Sequence, residues 1–266
     1  MSVFDRDNWY EIWASLDKNR VRTTLTAFGV FWGILMLMLL LGSGRGLANG
    51  TQSSYASGAT NSFYVWTRAT SKPYRGLPPG RRFELRNGDI AAIRQQVPEV
   101  DVIAPRNQLG GFQRGNNDVR KTKAGAFSVM GDYPEIVVIR NIDMQAGRFI
   151  NPLDIEERRK VAVIGTRVQE LLFAPDEEPV GEHIRINGVY FKVVGVFAPV
   201  SRGNQALRDA ETIHIPFTTF QKAFNWRDEI SWFAITSAPG VSASVAEEKV
   251  LSLLAERHRV HPDDGR

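Results

Sequence analysis

The chain contains no cysteine. That excludes disulfides, a thiolate nucleophile and cysteine-held zinc, so any domain outside the cytosol must rely on its hydrophobic cores. Histidine is scarce, at four in 266 residues, and charge is nearly balanced: 33 basic and 29 acidic side chains leave +4, interspersed rather than gathered into a stripe. Nucleic acid therefore has no electrostatic footprint here. Neither GxxxxGK[ST] nor G-x-S-x-G occurs, which removes the P-loop route to ATP and the nucleophile-elbow hydrolases. No low-complexity tract interrupts the chain, and 43% hydrophobic with 23% charged residues is a globular composition.

What the chain does have, once, is a long run without charge. Thr23 to Gly44, centred on LTAFGVFWGILMLMLLL (Leu25 to Leu41), is long enough to cross a hydrocarbon core of about 30 Å as a helix. About ten Leu, Ile, Val and Phe side chains favour insertion by roughly 0.3 to 0.6 kcal/mol each, and no Asp, Lys or Arg opposes them. Arg6, Lys18, Arg20 and Arg22 precede the run, and Arg45 alone follows it before Arg68. That bias predicts a cytoplasmic N-terminus, with everything after Arg45 on the outer side of the membrane.

A cleaved signal peptide is the alternative, since GSGRGLANG (Gly42 to Gly50) could hold a processing site. The leader argues against it, because Asp5, Asp7, Glu11 and Asp17 are mixed into its basic residues. It reads as an amphipathic elbow helix: Asn8 and Glu11 have capping-box spacing, and Trp9, Ile12, Trp13 and Leu16 recur at i, i+3, i+4, i+7. Trp9, Trp13, Lys18, Arg20 and Arg22 are the expected contacts with the membrane interface.

Beyond the span, Asn61 to Thr67 reads as a strand, the stretch Arg86 to Val100 gives a helix of about ten residues stopped by Pro98, and Val100 to Arg106 reads as a second strand. The GNN tripeptide, residues 115–117, suggests a hairpin between Gln108–Arg114 and Asp118–Lys123, continued by a short strand at Ala124 to Met130. Pro134 to Ile142 reads as a short helix, and Asn151-Pro152 as a cap with proline at the first helical position. KVAVIG is a buried strand whose exit residue, Thr166, is expected to cap RVQELLF. Ile184 to Val196 alternates on both sides of Asn187-Gly188, the pattern of a type I′ hairpin. Glu211 to Ile215 follows as a strand and Thr218 to Phe224 as a helix. Ile230 to Ser237 then reads as a strand, and Ser244 with Glu247 as a capping box on a helix to about His258.

Catalytic signals are weak. Gly42, Gly44 and Gly46 follow a membrane helix rather than a strand, and Leu47 stands where a dinucleotide loop needs its third glycine. His258 and His261, near Asp263 and Asp264, read as a solvated tail rather than a metal site. His183 and His214 read as ordinary strand residues, and Glu156-Glu157 and Glu177-Glu178 as solvated surface. An enzyme reading would need Glu156, Glu157 and His183 to converge in one pocket. Tyr64, Trp66, Trp226 and Trp232 could form a binding face, but aromatic strand residues more commonly fill a core. No catalytic, cofactor or metal residue is expected.

DKNRVRTTLTAFGVFWGILMLMLLLGSG resembles the first membrane segment of MacB-like ABC transporter permeases, with Arg22, Leu25, Thr26 and Gly29 at the pattern positions. IDMQAGRFINPLD resembles that family's glycine-arginine-aromatic turn and acidic residue, here Gly147, Arg148, Phe149 and Asp154. KVAVIGTRVQELLF and EPVGEHIRINGVYFKVVGVF then resemble its strand, short helix, turn and hairpin, with Pro179, Gly181 and Gly195 in order. Gly147, Arg148, Gly165, Gly181, Asn187, Gly188 and Gly195 are accordingly expected as fold-signature turns.

The expected class is α+β: one membrane helix followed by an extracytoplasmic domain of two subdomains, a porter-like split β-α-β sandwich and a β-rich insert. The corresponding divisions are 1–22 elbow, 23–44 membrane helix, 45–60 stalk, 61–106 porter-like first half, 107–224 insert and 225–266 porter-like second half. The resemblance implies an export or mechanotransmission permease that is not itself catalytic. Its partners would be a cytoplasmic ABC ATPase, a periplasmic adaptor, an outer-membrane exit duct, the lipid bilayer and a second permease copy. Family members carry three more membrane helices after the outer domain, so the resemblance also implies a fragment, a truncated product or one piece of a split permease. The alternative is a stand-alone, membrane-anchored periplasmic binding or scaffold protein.

Overall fold

A computed structural model describes residues 20–55, 61–110, 118–201 and 203–264. It forms two compact units, Met1–Ser53 and Ser54–Arg266. Helix α1 (Arg20–Tyr55) is the long apolar element, and its stretch Arg20–Gly42 is long and apolar enough to cross a membrane. The helix does not stop at Gly44 but continues through residues expected only as a stalk. Thr24 and Thr26 donate their hydroxyls to the carbonyls of Arg20 and Arg22, 2.8 and 2.9 Å away, so neither adds an unsatisfied polar group to the apolar stretch. Residues 1–19 of the predicted elbow, with its capping box, lie outside the described residues, and Arg20 to Arg22 already belong to α1.

Among the described residues, the second unit is built on an eleven-stranded sheet. Strands β1 (Ser62–Trp66), β3 (Val100–Leu109) and β13 (Trp232–Ser237) come from the two ends of the unit and lie in the order β1-β13-β3, antiparallel throughout. Helices α2 (Asn87–Gln96) and α8 (Ala243–His258) supply the other side of a core in which Phe63, Val65, Ile103, Phe233 and Ile235 meet Ile93, Val250 and Leu254. The pairing of the ends is the split arrangement expected from sequence.

β3 then changes neighbour. Its residues up to Arg106 pair with β13, while Asn107 to Leu109 pair with β6 (Ser128–Asp132). β6 continues, parallel, to β11 (Thr212–Pro216), and the sheet proceeds through β8 (Val161–Gly165), β10 (Val189–Pro199) and β9 (His183–Ile186) to β4 (Asp118–Arg120) and β5 (Lys123–Gly125). A second core, with Leu109, Val129, Ile164, Leu172, Phe191, Ile213 and Phe220, fills this part. The α+β class with its two cores thus rests on one continuous sheet.

Several local expectations are corrected. Of the hairpin read across residues 108–123, the described residues place Leu109 in the core beside Val129 and turn β4 directly into β5 through Lys121, at φ 51°; residues 111–117, with most of its first strand and its turn, lie outside the described set. Gly165, not Thr166, is the N-cap of α5 (Thr166–Leu172), still extended at φ −73° and ψ 158°; a Cβ there would overlap the Ala210 carbonyl. Ser242, not Ser244, caps α8, accepting from the Val245 N–H at 3.4 Å, because the helix starts a residue before Ser244. The strand read over Ile230 to Ser237 is broken at Ser231, whose N–H donates to Asn107 Oδ1 at 2.8 Å, leaving Glu229–Ile230 as a separate strand β12.

Gly147 sits at φ 68° and a Cβ there would overlap the Val194 carbonyl; Gly181 has φ 99° but open space around it. Gly147→Ala therefore adds a backbone clash to the positive-φ penalty and is expected to cost about 2–4 kcal/mol, against about 1 kcal/mol for Gly181→Ala. Thermal melts of the two purified variants in detergent should show the larger loss for Gly147.

Candidate functional site

Arg20 and Arg22 occupy the first turn of α1, exposed. Trp9, Trp13 and Lys18 lie outside the described residues. Asn187 and Gly188 form the two-residue turn between Ile186 and Val189, with φ 46° and 88°, both positive as a type I′ turn requires. Gly147 and Gly195 pair between β7 (Ile142–Gly147) and β10, close enough that neither tolerates a Cβ. The backbone N–H of Arg148 donates to Val194 at 2.9 Å, and its guanidinium clamps buried Asp154 through Nη1 at 2.6 Å and Nη2 at 3.1 Å. Burial pushes the Asp154 carboxyl up, but the hydrogen bonds from Arg148 and from the Asn151 N–H outweigh it and hold it below the ordinary range. Asn151 in turn caps α4 (Pro152–Glu156), accepting from the Asp154 N–H at 2.9 Å. The glycine-arginine turn is thus a structural lock.

The tail is not simply solvated. His258 Nε2 lies 2.9 Å from Asp89 Oδ2 and Arg257 Nε 2.8 Å from Oδ1, with Asp89 itself buried. Burial raises the Asp89 carboxyl, but the His258 and Arg257 hydrogen bonds bring it down to about 2. Asp264 accepts from the Ser71 N–H and hydroxyl, the latter at 2.6 Å. Glu177 is also not plain surface: Arg120, buried against the Phe173 ring, donates to it twice, and those bonds with one from Lys121 lower it to about 2. Glu156 and Glu157 are exposed at the end of α4 and His183 is exposed on β9, and none of the three lines the cavities at Arg140–His214, at Tyr64–Trp232 or beside α8. Among the described residues no group of His, Asp and Glu is arranged to hold a metal.

His214 gave no signal as a strand histidine, yet it belongs to a fully buried cluster. Asp132 receives Arg106 Nε on Oδ1 at 2.5 Å and Arg106 Nη2 on Oδ2 at 3.0 Å, and His214 Nδ1 stands 2.6 Å from Oδ2. Burial pushes the Asp132 carboxyl up, but the Arg106 charge and the His214 contact overcome it, so it stays ionised; burial likewise keeps His214 below its usual value. A neutral His214 must then carry its proton on Nδ1 and donate it to Asp132. Arg106, Asp132 and His214 are 26 and 82 residues apart in pairing partners, so no local pattern joins them.

The aromatic residues reverse the core expectation in part. β1 alternates, sending Phe63 and Val65 into the core and leaving Tyr64 and Trp66 40% and 54% exposed. Trp226 and Trp232 are half-buried, the first edge-on to Phe220 and the second under the Arg106 guanidinium. Together with Arg68, Arg82 and Phe83, these four line one open groove. It is an aromatic face with cations at its margin, able to contact flat or apolar groups.

A model of the MacB-like periplasmic core domain matches residues 23–253. The chain belongs to this family. It is 27% identical over 264 residues to the pyoverdine export ATP-binding/permease protein PvdT of Pseudomonas syringae pv. syringae, covering 98% of this chain and 38% of that protein. To the macrolide export ATP-binding/permease protein MacB 1 of Yersinia pestis bv. Antiqua it is 27% identical over 252 residues, 92% of this chain and 36% of the other. The chain thus spans little more than a third of the length of these relatives. The fold matches the periplasmic region of MacB from Actinobacillus actinomycetemcomitans with a TM-score of 0.62 at 16% identity, covering 77% of this chain and 87% of that one. It also matches the extracellular domain of the transporter YknZ from Gram-positive bacteria, with a TM-score of 0.61 at 14% identity over 75% and 97% of the two chains.

Because Asp89 is lowered to about 2 in the folded chain, its contribution is present above the ordinary carboxylate value near 4 and is lost as pH falls from there through about 2. Asp89→Asn is expected to remove about 1–3 kcal/mol at pH 7 and to flatten this acid limb. Melting temperatures of both proteins between pH 7 and pH 2.5 check it: the gap should narrow on acidification.

Proposed function

We propose that this chain is the permease component of an ABC-type export or mechanotransmission system. The observation that carries the reading is the family match, which runs from the apolar helix into the sheet domain without a break. The similarity to PvdT and MacB, which are export ATP-binding/permease proteins, supports it. In this reading α1 anchors the chain in the inner membrane, the N-terminus is cytoplasmic by its positive charges, and the Ser54–Arg266 unit is periplasmic. The chain is not catalytic: ATP is hydrolysed by a separate ATPase subunit or domain, and the outer unit relays the resulting movement to an adaptor, an exit duct or the substrate. Two copies serve one transporter. The functional divisions are 1–22, 23–44, 45–60, 61–106, 107–224 and 225–266.

The second reading, an anchored periplasmic binding or scaffold protein without an ATPase, is favoured by the open groove at Tyr64, Trp66, Trp226 and Trp232. Co-purification separates the two. Protein taken from its native membranes in a mild detergent should bring down an ABC ATPase in near-stoichiometric amount, identified by mass spectrometry. Recovery without any ATPase, under conditions that keep known ABC complexes intact, contradicts the export reading.

A further inference from the structure

Arg106 on β3, Asp132 on β6 and His214 on β11 meet where β3 exchanges β13 for β6, so their contacts hold the core of the ends against the core of the insert. Asp132 serves both donors: Arg106 bonds each of its oxygens, and Oδ2 also receives His214 Nδ1. With a neutral imidazole the three carry no net charge. A second proton on His214 adds a charge at a side chain that is 3% exposed, where water cannot solvate it.

Among the described residues no counter-ion is left for that charge. Arg140, just before β7, also faces His214, and it lies 2.9 Å from Asp209. Two guanidiniums and two carboxylates are thus already paired around the ring. β8 meets His214 through Val163, and the rings of Phe149 and Phe197 flank it, so these neighbours bring no ionisable group. A charged imidazole is a fifth charge beside four that balance.

The ring is nevertheless within reach of a proton. With Arg140 and Asp209, His214 lines a cavity of about 20 Å³, room for one water, and the exposed Asn141 and Val200 belong to the same lining. Nδ1 is committed to Asp132, and among the described residues no protein group bonds Nε2, so a proton arriving by this route is taken up at Nε2. Burial holds the ring below the ordinary histidine value of 6.5, whereas a His214 turned out to water takes its proton near that value. The closed joint is therefore at full strength above about 6.5, and it loses ground to any form that exposes the ring as the pH falls below that.

We propose that His214 makes the coupling of the two cores pH-dependent: in acid, a proton taken up at Nε2 draws the ring out of the joint, and the strands of the insert open without those of the ends. This stands apart from the transport reading, since it needs no ATPase.

Amide hydrogen exchange of the chain in detergent tests it at pH 7.5 and pH 5, read by mass spectrometry as protection factors in β8 and β11 on one side and β1 and β13 on the other. One proton shifts an opening equilibrium by at most about tenfold per pH unit, so protection in β8 and β11 should fall about tenfold on acidification, while β1 and β13 change by about twofold or less. His214→Asn keeps a neutral donor for Asp132 and cannot take the second proton, so its protection should be equal at the two pH values. The Cε1 NMR signal of His214 in the unsubstituted chain does not depend on the variant folding, and it should move over the same pH range as the protection. Unchanged protection in β8 and β11 at pH 5, an equal loss on both sides, the same loss in His214→Asn, or a His214 signal constant down to pH 5 each overturns the proposal.

Discussion

Asp132 is wholly buried yet ionised, and that state is possible only because Arg106 and His214 both reach it. A carboxylate placed there alone would cost several kcal/mol, and removing one partner of such a pair costs about 3–5 kcal/mol. The three residues come from β3, β6 and β11, at the point where β3 passes from β13 to β6. The interaction therefore sits where the core made by the chain's ends meets the core of the insert. His214 is in turn held between the rings of Phe149 and Phe197, which ties the junction to the residue following the glycine-arginine lock.

The features legible in the sequence were those with a local cause. A charge-free run, an Asn-Gly turn, a proline at a first helical position and a glycine-arginine turn each announce a backbone conformation within a few residues. The pairing of β1 with β13 was legible as well, since strand-helix patterns at both ends of the domain imply a shared sheet. What was hidden depended on residues distant in sequence. Histidine in an apolar strand carries no mark of the carboxylate 82 residues away that holds it. Glu177 looked like surface because its partner, Arg120, is 57 residues upstream, and His258 looked like a tail because Asp89 lies 169 residues before it. The hairpin read around residues 115–117 falls on residues outside the described set; among the described residues, Asn107 to Leu109 pair with β6.

The candidate groove shows the same division. Alternation in SFYVW separates Phe63 and Val65 from Tyr64 and Trp66, so two faces were visible, but which face the helices would cover was not. With α2 and α8 on one face, Tyr64 and Trp66 are left beside Trp232 on a surface with Arg68 and Arg82 at its rim. This aromatic face touches both the joint and a core, because Trp232 lies under the Arg106 guanidinium and Trp226 packs edge-on to Phe220.

The central claim is that the two cores behave as one body. Equilibrium denaturation of the protein carrying Ile164→Ala in the insert core, and separately Ile235→Ala in the core of the ends, tests it directly; each change should cost about 2–4 kcal/mol. If the cores are one cooperative unit, circular dichroism and tryptophan fluorescence will report the same single transition in both variants, moved as a whole by either substitution. Two separated transitions, each moved by only one of the substitutions, would contradict the account.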